Sequence, residues 1–371
     1  MIKKRVIYAV LIPLILIASC SQSDSPVREQ KPDPVPDVSE KVDEGVTVLV
    51  RNLKVPWSIV ADGDTFYVSE RAGNIVKIKG GKVTRQKVFL TEPVLHYGEG
   101  GFLGLALDPD FKKNMRAYAY HTYRKNGTIY NRVVQLEETE EGWKERKILL
   151  DRIPGAVIHN GGRIKIGPDK KLYVTTGDAN NVDNAQKKNN LAGKILRMEL
   201  DGKIPDDNPI PGSYIYSLGH RNPQGLTWSE DGTLYSAEHG PTGNPRGHDE
   251  INRIVPGGNY GWPRIIGDQT DPGMISPLFH SGEDTWAPSG IVYHNQVLYV
   301  AGLKGEELRA FNLEDQSMQV VLTNEGRLRD VIVKDDYLYI LTNNGDGRGN
   351  PEKDDDRLLR VHTSIFQQND K

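Results

Sequence analysis

The sequence predicts an all-β fold, a six-bladed β-propeller of four-stranded antiparallel blades, on three observations. A phrase built of an apolar strand, a polar turn and an aromatic-rich strand recurs six times in the chain. Its aromatic positions recur at a blade-like interval, with Tyr67, Tyr118, Tyr173, Tyr235, Tyr299 and Tyr339 roughly 40–65 residues apart. No long segment with a helical 3.6-residue period competes with these hairpins.

In order, the phrases are WSIVADGDTFYVSE (57–70), LALDPDFKKNMRAYAYH (105–121), RIKIGPDKKLYVTTGD (163–178), LTWSEDGTLYSAEHG (226–240), IVYHNQVLYVAGL (291–303) and VIVKDDYLYILTNN (331–344). Each alternates apolar and polar residues at period two and turns on Asp-Gly, Pro-Asp or a similar pair, the pattern of a tight β-hairpin. A single blade is a small sheet with a poorly covered face. Radial stacking covers those faces and leaves only short edges. Closure of the ring is expected to pair the first strand, Val46–Val50, with the last, Arg357–Val361. Six evenly spaced hairpins disfavour the rival arrangement, a two-sheet sandwich.

The N-terminal segment reads as an export signal. Lys3, Lys4 and Arg5 precede an apolar run from Val6 to Ala18, too short for a membrane span of about 20 residues. It ends Leu16-Ile17-Ala18-Ser19-Cys20, which resembles a bacterial lipobox, and Ser21 resembles the outer-membrane sorting pattern of a two-membrane cell. The expected organisation is therefore a signal peptide over 1–19, a tether from a lipidated Cys20 over 20–44, and the propeller over 45–365. The tether holds Pro26, Pro32, Pro34 and Pro36, many charges and no aromatic residue, a composition that buries too little to offset its ordering entropy. Cys20 is the single cysteine, so the fold must stand without disulfides. Loss of residues 1–19 removes three positive charges and takes the formal charge from −3 to −6. A mildly acidic, mixed-sign surface gives no footprint for nucleic acid.

Propellers serve many functions, so function must come from the site. Informative residues fall just beyond the aromatic strand or just before the next one, positions that converge on one mouth of the central channel. The stretch from Gly219 to Pro263, with GHRNPQGL, EHGP and DEINRIVPGGNYGWP, combines Arg, Asn and His with carboxylates and a Gly/Pro turn. That inventory suits an anionic ligand beside a hard cation, since Arg forks take carboxylates and Ca²⁺ takes carboxylate and carbonyl oxygens.

Seven segments in series then carry a specific resemblance: GEGGFLGLALDPDF (98–111), HNGGRIKIGPDKKLYVTTGD (159–178), LAGKILRMELDGKIPDDNP (191–209), GHRNPQGL (219–226), EHGP…DEIN…GGNYGWP (238–263), AGLKGEELRAF (301–311) and GRLRDV (326–331). They resemble the soluble, PQQ-dependent aldose sugar dehydrogenases of the glucose/sorbosone dehydrogenase family, over about residues 45–363. The resemblance implies a six-bladed propeller, PQQ and Ca²⁺ as cofactors, and oxidation of aldoses at the anomeric carbon.

It also implies roles, residue by residue. His159 matches the base that takes the hydroxyl proton, for which a neutral imidazole is suited at neutral pH, and Asp178 matches the carboxylate that orients it. Lys304, Arg327 and Arg329 match the cofactor anchors. Arg327 and Arg329 flank Leu328 and so point the same way on a strand. Arg221 and Asn222 match the pair beside the quinone oxygens, and Thr285 and Trp286 the hydroxyl and ring-packing contacts. Gly240 and Pro241 resemble the carbonyl pair of the Ca²⁺ that bridges to PQQ. Asp249, Glu250 and the Tyr260 carbonyl resemble a second, structural Ca²⁺ site, although the loop from Thr242 to His248 is longer than in glucose-specific members.

Two departures matter. Glu99 stands where glucose-specific members carry Gln, and a carboxylate facing a tricarboxylate repels it unless paired or protonated. Ile158 replaces an Asp that contacts the sugar, so strict glucose selectivity is not expected. The run Asp354-Asp355-Asp356 reads as a solvated turn before the closing strand. His220, His239 and His248 lack paired zinc-ligand spacing. Two other classes, a Ca²⁺-dependent lactone hydrolase and a non-catalytic binding propeller, have no need of Lys304, Arg327 and Arg329 together with His159 and Asp178. The expected partners are an aldose and an electron acceptor, with membrane contact only through the lipid anchor, in a monomer or weak dimer.

Overall fold

The computed structural model describes residues 42–43 and 45–370, with side chains from residue 45 to 366. The signal peptide, Cys20 and the tether to residue 41 lie outside the described residues. Val42–Asp43 already pairs antiparallel with Val46–Thr47, so the sheet begins slightly before the expected boundary.

The chain forms six blades in sequence order. Blade 1 comprises Pro56–Asp62, Thr65–Glu70, Asn74–Lys79 and Lys82–Phe89. Blade 2 comprises Phe102–Leu107, Arg116–Lys125, Thr128–Thr139 and Gly142–Pro154. Blade 3 is Ile164–Ile166, Leu172–Thr176, Lys194–Met198 and Ile215–Leu218, and blade 4 is Pro223–Trp228, Leu234–Glu238, Glu250–Ile254 and Phe279–His280. Blade 5 is Pro288–His294, Val297–Gly302, Glu307–Asn312 and Met318–Leu322. In blade 6, Leu328–Lys334, Tyr337–Thr342 and Leu358–His362 are completed by Val46–Val50. That last pairing closes the ring in the expected place, with Val46 opposite Val361 and Val48 opposite Leu359. Val46–Val50 thus pairs with Leu358–His362, and the described ring closes without an open seam between the first and last blades.

Each recurring phrase is the inner hairpin of one blade. The six matched tyrosines all lie on second strands and are all buried. They pack between neighbouring blades: Tyr299 joins a cluster with Val331, Ile340 and Leu359, and Tyr173 one with Leu226 and Ile254. One feature lies beyond the repeat pattern. The outer strands of blades 1 and 2 pair in parallel through Trp143 and Val88, so these two blades share an eight-stranded sheet.

Hairpin geometry positions the site. In an antiparallel pair the start of one strand and the end of its partner lie at the same end. Residues just before each inner strand and just after each second strand therefore gather at one mouth of the channel. Glu99, His159, Arg221, Trp286 and Arg327 occupy the first kind of position, and Arg71, Asp178, Gly240, Lys304 and Asp346 the second. Below the mouth, inner strands are tied across the axis. Buried Asp330 of blade 6 accepts from the Ile59 N–H at 2.9 Å and from Arg163 Nη1 at 2.7 Å, joining blades 6, 1 and 3.

The acidic run before the closing strand corrects the sequence reading. Asp354 is half-exposed, but the Asp355 and Asp356 side chains are buried. Asp355 pairs with Arg357 Nε at 2.8 Å, and Asp356 accepts from the N–H groups of Asn344 and Gly345. Each buried carboxylate has donors within the loop, which is what permits its burial.

Candidate active site

His159 sits in the loop before the inner strand of blade 3, 9 % exposed, in the left-handed region at φ 59°. Its Nδ1 lies 2.9 Å from Oδ1 of Asp178, which is fully buried at the end of the second strand. Two glycines make this contact possible. A Cβ on Gly177 would lie 2.0 Å from the His159 carbonyl oxygen, and one on Gly161 2.7 Å from the Gly177 nitrogen. Only glycine lets the two loops approach this closely, which is the physical content of the HNGG…TTGD pattern.

Asp178 is held on every side. Oδ2 accepts from Trp262 Nε1 at 2.9 Å, Oδ1 also accepts from the Asn180 N–H at 2.8 Å, and its own N–H donates to the Arg221 carbonyl at 2.8 Å. Such a carboxylate fixes the imidazole tautomer, with the proton on Nδ1 and the Nε2 lone pair free to accept. Trp262 was not singled out by the sequence reading, although it stands in the GGNYGWP segment just before Pro263. Its indole also carries the Arg221 guanidinium, 5.4 Å from the ring centroid.

Behind Arg221 lies a fully buried chain. Ser217 Oγ is 2.8 Å from His220 Nε2, His220 Nδ1 is 2.9 Å from Glu238 Oε1, and Glu238 Oε2 accepts the Arg221 N–H at 2.9 Å. The His220 ring stacks on Tyr260, 4.8 Å between centroids. Sealed from any ligand, this serine, histidine and glutamate hold the backbone of Arg221. Asn222 accepts the Gly161 N–H through Oδ1 at 3.0 Å, tying the Arg221 loop to the His159 loop.

Glu99 is paired, which answers the concern about its charge. Its Oε2 accepts the His159 N–H at 2.8 Å and lies 3.5 Å from Asn222 Nδ2, while Oε1 meets Arg348 Nη1 at 3.0 Å. Burial alone would push this carboxyl up, but His239, the His159 N–H and Arg348 together hold it down at about 2. It is therefore ionised.

The opposite wall is cationic. Arg71, Arg329 and Arg348, with Trp57, Gln224, His239, Asp346 and Glu99, line one cleft. Arg327 donates to the Leu303 carbonyl at 3.0 Å and to Asp346 at 3.0 Å, and Arg329 to Gln224 Oε1 at 2.7 Å. Yet Arg327 Nε, Arg329 Nε and His239 Nε2 are buried with no hydrogen-bond partner. Burial first, and then the Arg71, Arg327 and Arg163 cations, push the Arg329 guanidinium down to about 9 despite Asp346. This is a positive field that Asp346 only partly offsets, with unused donors, and it fits an anionic ligand. Lys304 is exposed beyond the second strand of blade 5.

Trp286 departs from its expected ring-packing place. It is 5 % exposed inside the core of blades 4 and 5, 5.5 Å from the Phe311 centroid, and carries Arg309 on its face at 4.7 Å. An apolar ring at a strand entry gains more from the core than from the cleft. Neighbouring Thr285 donates to Asp249 Oδ2 at 3.1 Å.

Around Gly240 the surroundings are rich in oxygen. A Cβ there would lie 2.0 Å from the Gly247 carbonyl oxygen and 2.4 Å from that of His248, and the Pro241 carbonyl accepts the Gly247 N–H at 3.0 Å. Buried Asp249 holds the Gly240 N–H at 2.8 Å and the Ala287 N–H at 2.8 Å, so its carboxylate serves first as a clamp on two loops. Half-buried Glu250 has its carboxyl pushed well up, by burial and then by Glu238, which is the environment a bound cation would relieve. The Tyr260 ring is buried, and its hydroxyl donates to the Arg253 carbonyl at 2.6 Å.

Arg71, Asp346 and Arg348 join the cleft without having been singled out, as does His239, which the sequence raises only as a zinc ligand. The signal was available for three of them. Arg71, His239 and Asp346 follow second strands in YVSER, YSAEHG and YILTNNGD, at the same place as Asp178 and Lys304.

Comparison with known proteins agrees with this fold. The family model for glucose/sorbosone dehydrogenases matches residues 53–360. The chain is 29 % identical to the aldose sugar dehydrogenase of Escherichia coli K12, covering 81 % of this chain and 91 % of that protein. It is 36 % identical to quinoprotein glucose dehydrogenase B of Acinetobacter calcoaceticus over 61 % of this chain, a match that spans 54 % of that protein. Among solved structures, the PQQ-bound aldose sugar dehydrogenase of Streptomyces coelicolor superposes with a TM-score of 0.79 at 36 % identity, covering 87 % of this chain and 99 % of that one. The chain belongs to the glucose/sorbosone dehydrogenase family.

Proposed function

We propose that this protein is a PQQ- and Ca²⁺-dependent dehydrogenase that oxidises aldoses at the anomeric carbon to lactones. The observation that carries the reading is the His159–Asp178 pair placed beside a cleft whose arginines keep unused, buried donors. PQQ, when bound, supplies the hydride acceptor for the anomeric C–H. Arg327, Arg329 and Lys304 would hold its carboxylates, and the carbonyls of Gly240 and Pro241 would hold the Ca²⁺ beside it. Asp249, Glu250 and the Tyr260 carbonyl would serve a second cation.

The protein's own part is proton transfer and orientation. His159 Nε2 takes the proton of the anomeric hydroxyl, and Asp178 stabilises the imidazolium that results. Trp262 and Asn180 keep that carboxylate in place, so the pair is preorganised before substrate arrives. Arg221, fixed by Trp262 and by the Glu238 chain, presents positive charge next to the pair. A lactone hydrolase has no use for the clustered arginines with their unused Nε–H donors, and a binding propeller none for the oriented histidine.

Titration of apoprotein with PQQ and Ca²⁺, with aldose-dependent dye reduction as the readout, tests the reading. Activity should require both and should fall on chelation. Unchanged activity in a PQQ-free, chelated preparation would remove the cofactors from the mechanism. We further propose that the protein is exported and held by lipid on Cys20 at a membrane facing the periplasm or cell exterior. Cys20→Ala should then move it from the membrane fraction to the soluble one, and an unmoved variant would refute the anchor.

A further inference from the structure

We propose that Arg348 is a binding-determining residue of the cleft. It neutralises Glu99, the carboxylate that holds the backbone of His159, and so keeps the cleft receptive to a polycarboxylate. The inference rests on the PQQ reading above and deepens it.

The argument starts from Glu99. Its side chain is 16 % exposed, and it accepts the N–H of His159, a residue in the left-handed conformation. It also clasps the loop before the base, donating its own N–H to the Val157 carbonyl at 2.7 Å. Glu99 is thus a positioning residue, and its fixed negative charge comes with that task. The same charge lines the cleft in which a polyanion would sit.

Arg348 offsets it. The guanidinium reaches from the loop beyond the second strand of blade 6 across the mouth to the loop before blade 2, a pairing between residues 249 positions apart in the chain. Its own backbone N–H is held by Asp346 Oδ1 at 2.9 Å, and Asp346 Oδ2 holds Arg327. Charges therefore alternate along Arg327, Asp346, Arg348 and Glu99, up to the backbone of the base. Three guanidiniums (Arg71, Arg329 and Arg348) and two carboxylates (Glu99 and Asp346) line the cleft. Without Arg348, Glu99 has no cationic partner in the cleft wall, and its bare charge offsets part of the attraction that the anchoring cations exert on a polycarboxylate. The Arg348 side chain is 52 % exposed, so solvent screening limits the effect to roughly tenfold in affinity rather than the hundredfold of a buried pair.

The test is a double-mutant cycle read by PQQ binding, followed as quenching of tryptophan fluorescence in apoprotein supplied with Ca²⁺. Arg348→Ala should weaken PQQ binding about tenfold. Glu99→Gln keeps an acceptor for the His159 N–H and should bind PQQ at least as well as wild type. In the Glu99→Gln background, Arg348→Ala should cost less than about threefold. An equal loss in both backgrounds would make Arg348 a direct anchor and overturn the compensation. So would an Arg348→Ala protein that binds as wild type does. Failure of the wild-type protein itself to bind PQQ would instead overturn the cofactor reading, and the compensation with it.

Discussion

The two walls of the mouth are built on opposite terms. On the side of blades 3 and 4, every polar atom of Asp178, the acceptor Asn222 Oδ1 and the Arg221 N–H have partners at 2.8–3.0 Å. On the side of blades 5, 6 and 1, Arg327 and Arg329 are buried with one N–H each unpaired. A buried donor without a partner costs about 1–3 kcal/mol, so this wall is stabilised by whatever anion fills the cleft. The satisfied wall is fixed for proton transfer, and the unsatisfied wall is made to bind. Substitutions on the two walls should therefore separate turnover from affinity.

The largest effect should come from the base. His159→Ala should lower turnover by about 10²–10⁴-fold while PQQ binding stays nearly intact. Stopped-flow or steady-state dye reduction alongside a PQQ titration makes the separation visible. A variant within threefold of wild type would remove His159 from the chemistry and dissolve the contrast between the walls.

The anchoring wall comes next. Arg327→Ala or Arg329→Ala removes charge-assisted bonds worth about 1.5–3 kcal/mol, or roughly 10- to 150-fold in PQQ affinity. Such bonds act alike on ground and transition states, so turnover should recover at saturating PQQ. Arg221→Ala should not recover, because its guanidinium belongs to the fixed wall over Trp262. Equal recovery of all three variants would make Arg221 one more anchor.

The two tryptophans sharpen the comparison at smaller scale. Trp262→Phe loses the 2.9 Å bond to Asp178 and should cost about tenfold in turnover. Trp286→Phe keeps an aromatic ring in the core beside Phe311 and should change the melting temperature more than the rate. Reversed outcomes would place Trp286, not Trp262, beside the chemistry.

How much of this could be read in the sequence follows from what repeats. The hairpins were legible because burial between blades demands the same aromatic at the same place, as at Tyr173 and Tyr299. Ring closure was legible because Val46–Val50 and Arg357–Val361 are the apolar strands at either end of the domain. His159, Asp178 and the Arg327/Arg329 pair stood out because motifs surround them. Arg348 did not, because its partner Glu99 lies 249 residues away and only the closed ring brings the two loops together. Trp286 misled because an aromatic at a strand entry looks the same whether it faces a cleft or a core. Asp356 misled because charge runs are usually solvated, and only the fold reveals the Asn344 and Gly345 N–H groups that receive it.

Asp356 supplies the smallest expected effect, and it too lies on the binding wall. Its Oδ1 accepts the Asn344 N–H, and Asn344 Oδ1 in turn accepts the Arg327 N–H at 2.8 Å, so this carboxyl props the loop behind an anchor. Burial above all, with Asp355 and Asp346 nearby, pushes it up to about 6 against the donated N–H bonds. In the unfolded chain an aspartate titrates near 3.9. Between about 4 and about 6 the folded protein therefore holds a proton that the unfolded chain has released. Stability from this group is then greatest at the acid end of that window and declines as pH rises through it. Asp356→Asn keeps an acceptor oxygen for Asn344 and removes the titration. Its melting temperature, measured from pH 4 to 7, should gain on wild type across the window, with the gain complete above about pH 6. Parallel curves for the two proteins would show that this carboxyl does not couple to folding, and that both walls rest on supports indifferent to pH.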